Sequence, residues 1–444
     1  MSVLAIPRAF SGRRLYTMRA LNHDPLSALT AASRSGERVW LEIGPYRVLL
    51  LSGPDDIEEV LVRQNRRFVK GRTLQHARPL LGDGLLTSEG DVWRRDRRLA
   101  QPAFHRDRVH AMGQTIVDQT IRAAGRWRDG DVRDMAEEMM RLSFAIATDT
   151  LFGAALDDQA DTVRANLTTA MRHVNGRVKT LLRLPPWLPT PDMRRFQAAV
   201  RELDAVVHHI IRTRQQDGAE HDDVLALLMG ASDQEGRGLT ERELRDEVMT
   251  LLIAGHETTA TLMAWTWLLL DRHPAVRRRL DQELRRAPNQ APVTADRVAD
   301  LPYTRAVISE ALRLYPPAWI INRAAIAPFD LIPHKLPAGT QVLISPYVVH
   351  RDPRFFPDPE VFSPERWLED GPKTLHPFAY IPFGGGPRLC IGRPMALLEA
   401  SLILATLGRS WHFALVPGHP VETEPLITLR PRHGIRMTFR AAAV

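Results

Sequence analysis

Apolar residues recur along the chain with two periods. Spacings of three and four, which place residues on one helix face, govern the longest stretches, and short alternating or continuous runs mark strands between them. The clearest helical pattern begins at Thr240-Glu-Arg-Glu243, a capping-box signature, and runs to Arg272 just before Pro274. At 1.5 Å per residue such a helix is roughly 50 Å long, the width of a domain. A second amphipathic pattern starts at Ile391 with Pro394 in its first turn. Helical patterns also fill Asp131 to Arg214, broken by Leu184 to Pro191, where four prolines in eight residues cannot continue a helix. Asp24-Pro25, Pro54 and Pro302 each open a further helix. Strands are predicted at Val39 to Ile43 and Tyr46 to Leu51, turning at Gly44-Pro45, then at Asn322 to Ala324 and Thr340 to Ser345. Leu426 to Leu429 and Arg430 to Gly434 read as a hairpin. Residues 71–89 lack a clear period and read as a loop, the kind of segment that carries binding contacts.

Composition adds three limits. The chain has 444 residues, 44% hydrophobic and 25% charged, enough for a large core, and no linker, repeat or low-complexity tract divides it. A single domain over 25–444 is expected. Residues 1–24 read as a flexible leader, basic and acid-free until Asp24, with Pro7 and Gly12 interrupting a helix. No apolar run reaches the roughly 18 to 20 residues of a membrane span, so a cytoplasmic protein without a membrane span is expected. The formal charge of +7 is scattered over amphipathic helices with no nucleic-acid motif, which argues against nucleic acid as a partner.

One cysteine among 444 residues excludes a disulfide framework. It lies in Phe383 to Gly392, a turn of three consecutive glycines and a proline ahead of the Ile391 helix. A lone cysteine is ordinarily a small buried hydrophobe. Here the glycines let the chain approach a flat ligand, and the helix N-terminus would favour thiolate over thiol at Cys390, the state that ligates heme iron. Inside the long helix, Ala254-Gly-His-Glu257-Thr258-Thr259 combines poor helix formers with an acid beside an alcohol. The helix is expected to open locally there, with Thr258 hydrogen-bonding oxygen or water and Glu257 relaying protons from solvent. A kinked helix with a solvated Glu257 is the plainer reading of the same residues. Trp93 and Arg97 share a helix face and together offer donors to a carboxylate, although a surface tryptophan beside a basic run explains them equally well. Glu310 and Arg313 are spaced for an ordinary helical ion pair.

The pattern Phe383-x-x-Gly386-x-Arg388-x-Cys390-x-Gly392 resembles the heme-binding signature of the cytochrome P-450 superfamily at every fixed position. Four more motifs follow in family order. The Ala254-to-Thr259 sextet matches the family's oxygen-activation pattern, and Trp93-x-x-x-Arg97 its propionate-binding pair. Glu310-x-x-Arg313 with Arg366 matches its structural Glu-Arg-Arg triad, and Arg323 its second propionate arginine. The resemblance implies a mainly α fold with a smaller β-rich region, a helical prism around a buried heme b. It makes Cys390 the iron ligand, sets Phe383 near the sulfur and Arg388 beside a propionate, and gives Gly386 and Gly392 the tight turns below the ring. Ala254 then faces the heme. Trp319, Ile320 and Ile427 would border the substrate cavity.

The activity implied is a heme-thiolate monooxygenase that inserts one oxygen atom from O2 into an apolar small molecule, with fatty acids and terpenoids favoured. No flavin or iron–sulfur segment is present, so electrons would come from a separate ferredoxin or flavodoxin, steered by Arg94, Arg95 and Arg98. A monomer is expected. Two other readings stay open: a peroxygenase or isomerase that needs no donor, and a heme-thiolate binding or sensor protein.

Overall fold

The computed structural model describes residues 5–153, 160–179, 190–217, 221, 223–233, 235–286, 293–368 and 371–442. The Leu184 to Pro191 connection, with Trp187 and Leu188, lies almost wholly outside them.

The long helix spans Glu241–Arg272 and forms the spine of the core. Both halves of its capping box are present: Thr240 Oγ1 accepts the Glu243 N–H at 3.3 Å, and Glu243 Oε2 accepts the Thr240 N–H at 2.8 Å. Trp265 and Trp267 on its second half are fully buried. Met135–Phe152 packs along it, and Pro302–Leu314 and Arg393–Ser410 close the core beneath. Ala160–Lys179 and Pro191–Asp217 pair on the far side.

The β-rich region is built mainly on one five-stranded sheet. Its order is Arg38–Ile43, Tyr46–Leu51, Gln341–Ile344, Ile321–Ala325, Phe68–Lys70. The second and third strands are parallel and the other neighbours antiparallel. The last pairing sets Lys70 opposite Arg323. Thr423–Pro425 and Leu429–Pro431 form a hairpin, shifted from the expected one so that Leu426 to Thr428 are its tip and not its first strand.

Three expectations need correction. The helix does not open at Ala254 to Thr259: the two threonine hydroxyls take the carbonyls of Ala254 and Gly255 at 2.8 and 3.5 Å, and the helix continues through them. Residues 71–89 are not a plain loop, since Arg72–Gln75 and Arg78–Leu81 form helical turns. The second is favoured by Pro79 in its first turn and ended by Gly82 at φ +59°. The supposed leader is packed over its described residues. Trp40 N–H donates to the Pro7 carbonyl at 2.9 Å, Ala9 is buried, and Arg14–His23 is a helix with Thr17 buried. Pro7 and Gly12 both precede that helix and so do not interrupt it.

Candidate heme site

The cysteine turn is held from both sides. Cys390 N–H donates to the Phe383 carbonyl at 3.0 Å, closing the loop on itself. Gly384 and Gly386 have φ of +74° and +65°, which glycine adopts without strain. Gly386 also lies against the Glu59–Arg63 turn, where an added Cβ would meet the Leu61 carbonyl oxygen at 2.0 Å. Gly392 differs. Its φ is −81°, and an added Cβ would find only Phe104 at 4.0 Å, so nothing in the surrounding chain demands glycine there. Gly392 is the N-cap of Arg393–Ser410.

The N–H groups of Gly392 and Arg393 do act on the Cys390 sulfur, as do the charges of Arg97 and Arg393. Burial nevertheless outweighs them and pushes the thiol pKa up, so the helix N-terminus alone does not make a thiolate. Cys390 is thus set deep among protein atoms, yet its own surface is exposed. The two together fit a residue that lines a cavity or a deep cleft. Ala254 is exposed midway along the long helix, between buried neighbours Ile253 and His256. A groove of about 620 Å³ bounded by Arg279, Glu283, Arg297 and Tyr303 includes neither residue.

Cations gather at one edge of the site. The Arg388 guanidinium stacks 3.7 Å from the Trp93 ring centroid, donates to the Ser88 carbonyl at 3.1 Å and pairs with Glu89. Lys70 Nζ donates to Leu85 O at 2.8 Å and shares the Ser88 carbonyl at 3.3 Å. Burial lowers the pKa of Arg97, of Arg323, of Arg388 to about 10 and of Lys70 to about 6. For Arg388 and Lys70 the neighbouring arginines lower it further. Glu89 is the acid that offsets Arg388, Arg323 and, with Glu247, Lys70. Three half-buried arginines and a buried Lys70 whose charged form this environment disfavours, beside so little negative charge, suit an anionic ligand. The two carboxylates of a heme meet that requirement, as does the open sulfur for its iron, so the residues present fit the cofactor. Lys70 was not singled out from sequence. Its position on a strand directly opposite Arg323 is visible only once the sheet is paired.

Thr258 and Glu257 diverge. The Thr258 hydroxyl is on the face of Ala254, four residues back, and donates to its carbonyl. Glu257 is only 3% exposed and points the other way, into the hairpin. Arg430 donates to it at 2.6 and 2.8 Å, and Thr428 Oγ1 donates to the same oxygen. The expectation of an acid in contact with solvent is therefore not met in this conformation. Trp319 is buried, and its indole N–H donates to Leu426 O at 2.8 Å. It packs in the core and holds the hairpin tip that carries Ile427. Ile320 and Ile427 are half-buried.

Glu310, Arg313 and Arg366 come together as the triad pattern requires. Arg313 meets Glu310 in two bonds of 2.8 Å, both side chains fully buried, and Arg366 Nε reaches the same carboxylate at 3.1 Å. Trp367 Nε1 adds a third donor at 2.8 Å. Of the three arginines expected to steer an electron donor, Arg95 drops out: it is mostly buried between Asp96 and Glu243.

A family model described as Cytochrome P450 matches residues 16–439. The chain is 38% identical to a cyclooctat-9-en-7-ol 5-monooxygenase of Streptomyces melanosporofaciens, over 90% of this chain and 87% of the relative. It is 36% identical to a cyclooctatin synthase of the same organism, covering 91% and 89%, and 32% to a pentalenene oxygenase of Streptomyces avermitilis, covering 94% and 93%. The crystal structure of the cytochrome P450DA heme domain superposes with a TM-score of 0.88 at 27% identity, covering 100% of this chain and 99% of that one. Among the described residues no helix is long and apolar enough to cross a membrane. Matched along nearly its whole length by this family model and by named monooxygenases, the chain belongs to the cytochrome P450 family and is a heme-dependent monooxygenase.

Proposed function

We propose that the protein hydroxylates a cyclic, hydrocarbon-rich terpenoid, with Cys390 as the ligand of heme b. The observation that carries the site is the sulfur itself: the only cysteine in the chain, exposed at a helix N-terminus, with three half-buried arginines and the buried Lys70 gathered at the site's edge. The substrate class is supported by two relatives named as oxygenases of cyclooctat-9-en-7-ol and pentalenene. Heme supplies the oxygen chemistry, delivering one atom of O2 to a C–H bond at the expense of two electrons and two protons.

The rest falls to side chains. Arg97, Arg323, Arg388 and Lys70 hold the propionates, Trp93 backs Arg388, and Phe383, Gly386 and Gly392 shape the turn under the ring. Ala254 leaves room above it. The Thr258 hydroxyl, now bonded to Ala254 O, rotates to hold a proton at the reacting oxygen. Glu257, released from Arg430, resupplies that proton. Ile320 and Ile427 border the substrate, whose binding beside the hairpin tip is well placed to loosen Thr428 and Arg430. Glu310, Arg313 and Arg366 are structural. The domain spans 25–444 with residues 5–24 packed on its sheet, and works as a cytoplasmic monomer. Its electrons come from a ferredoxin- or flavodoxin-type donor.

Two measurements test this. The reduced carbon monoxide complex of the wild type should show the thiolate-type Soret band, and Cys390→Ala should lack it. Titration of the ferric protein with cyclic terpene hydrocarbons and alcohols, fatty acids and steroids should shift the Soret band saturably with the first class alone. A shift confined to fatty acids or steroids overturns the substrate assignment.

A further inference from the structure

The long helix carries another acid, ten residues before Glu257, that the reaction above does not use. Glu247 is 1% exposed, and neither carboxylate oxygen has a hydrogen-bond partner among the described residues. The Leu85 N–H approaches it without reaching hydrogen-bond geometry. Thr250 Oγ1 and Ser88 Oγ are buried and unpartnered as well. Orphaned polar atoms are rare in native interiors, and several together call for a shared partner.

The segment that carries Ser88 packs on the helix face that carries the other two, and Lys70, which bonds the Ser88 carbonyl, faces Glu247. Thr250 lies one turn beyond Glu247 on the same helix face. The 82–89 segment runs so close to that face that a Cβ on Gly84 would meet Thr250 Oγ1 at 2.3 Å and the Asp246 carbonyl oxygen at 2.6 Å. The same segment supplies the Ser88 carbonyl shared by Lys70 and Arg388. Steps of three, four and four along the helix then lead from Glu247 through Thr250 and Ala254 to Thr258, so all four share one stripe.

The charged groups around Glu247 are accounted for. Asp96 is paired with Arg95, which also holds Glu243, and Asp246 with Arg245, which also holds Asp204. Lys70 faces it from the sheet, and behind Lys70 lie Arg388, Arg323 and Glu89. Burial, then the charges of Asp96 and Asp246, push the Glu247 carboxyl up to about 8.

We propose that Glu247, Thr250 and Ser88 bound a buried water-binding site at the propionate edge of the heme pocket, and that protonation of Glu247 and reduction of the iron reinforce each other. The inference rests on the heme placement proposed above. The electron arrives from the redox partner and takes iron from ferric to ferrous. The added negative charge raises the proton affinity of Glu247, which takes one proton from solvent through the bound water and forms one O–H bond. The coupling is reciprocal: a charged Glu247 makes the iron harder to reduce.

The test is a spectroelectrochemical titration of the heme-loaded protein from pH 6 to 10. Where Glu247 is protonated in both oxidation states it contributes no pH dependence, and where only the reduced state keeps the proton the potential falls with pH; the raised carboxyl puts the start of that window near pH 8. The wild-type potential should therefore fall as pH rises above about 8, and Glu247→Gln should remove that fall while matching the wild type at pH 7. The same fall in both proteins overturns the proposal. So does a fall that survives Glu247→Gln and disappears in Lys70→Met, which assigns it to the lysine. A crystal structure of the holoenzyme should place a water on the Glu247 carboxyl and Thr250 Oγ1; a dry site overturns that half. Each variant is first checked for the thiolate-type band of its reduced carbon monoxide complex. A wild type that lacks the band defeats the heme placement itself, whereas a wild type with the band but no pH-dependent fall defeats only this inference.

Discussion

Two clusters of arginines and carboxylates brace this molecule, one fully buried and one half-buried, and they differ in how their charge is met. Around Glu310 every cation has a partner within the chain. Arg313 meets both Glu310 oxygens and the carbonyls of His350, Pro359 and Val361, while Arg366, Trp367 and the Ser363 N–H complete the carboxylate. Around Arg388 the cations repel one another and lean on Glu89. A closed network fixes the chain ahead of the cysteine turn. An open one is unfavourable until an anion arrives, and so marks a binding site.

The largest effect should come from breaking the closed network. Glu310→Ala strands a fully buried Arg313 and should cost about 3 to 5 kcal/mol of folding stability, with or without heme. Denaturant unfolding of both forms checks it; a loss seen only in the heme-loaded form would mean that the two clusters are alike.

Opening the other cluster further should do the reverse. Arg388→Leu removes a cation whose pKa is already lowered to about 10, so the heme-free protein should be as stable as wild type or more so. Heme, however, loses charge-assisted bonds of about 1.5 to 3 kcal/mol and should leave roughly ten to a hundred times faster. Transfer of heme to an acceptor protein gives the rate.

Lys70 sharpens the contrast through pH. Its pKa is about 6 folded against 10.5 for an ordinary lysine, so between those values the unfolded chain binds the extra proton. Stability of the heme-free protein therefore gains from Lys70 as pH rises through that window, and the penalty is fully present below about 6. Glu247 acts oppositely, from its ordinary 4.5 up to about 8. The difference between wild type and Lys70→Met isolates the lysine to first order. That difference should shrink when heme is bound, because the propionates restore the charge, and an unchanged difference would exclude Lys70 from the propionate contacts.

The fold class, the cysteine turn, the capping box and the triad were legible because each is a local pattern with a local cause. Thr240 and Glu243 cap one helix end, and Gly384 and Gly386 adopt backbone angles that glycine alone takes without strain. What escaped were contacts between segments distant in sequence. Nothing near Glu257 says that Arg430 will arrive from the last hairpin to hold it. Lys70 becomes a partner of Arg323 only through strand pairing, and Trp319 looked like a cavity residue until Leu426 claimed its indole. The thiol was legible only in part: the helix N–H groups that favour the thiolate are readable from sequence, whereas the depth of burial that opposes them is not.

The smallest effect belongs to a cation outside both clusters. Arg98 is exposed on the helix that also carries Trp93 and Arg97, next to Arg94, which pairs with Asp91. Water already solvates it, so Arg98→Glu should leave both folding stability and heme retention unchanged within about 0.5 kcal/mol. Its charge still acts at a distance on an acidic electron donor approaching that face. Stopped-flow reduction by a ferredoxin should slow by less than tenfold at low salt, and the difference should vanish as ionic strength rises and the Debye length shrinks below about 8 Å. A rate that falls equally at all salt concentrations would place Arg98 in a direct contact; an unchanged rate at low salt would move the docking face elsewhere on the protein.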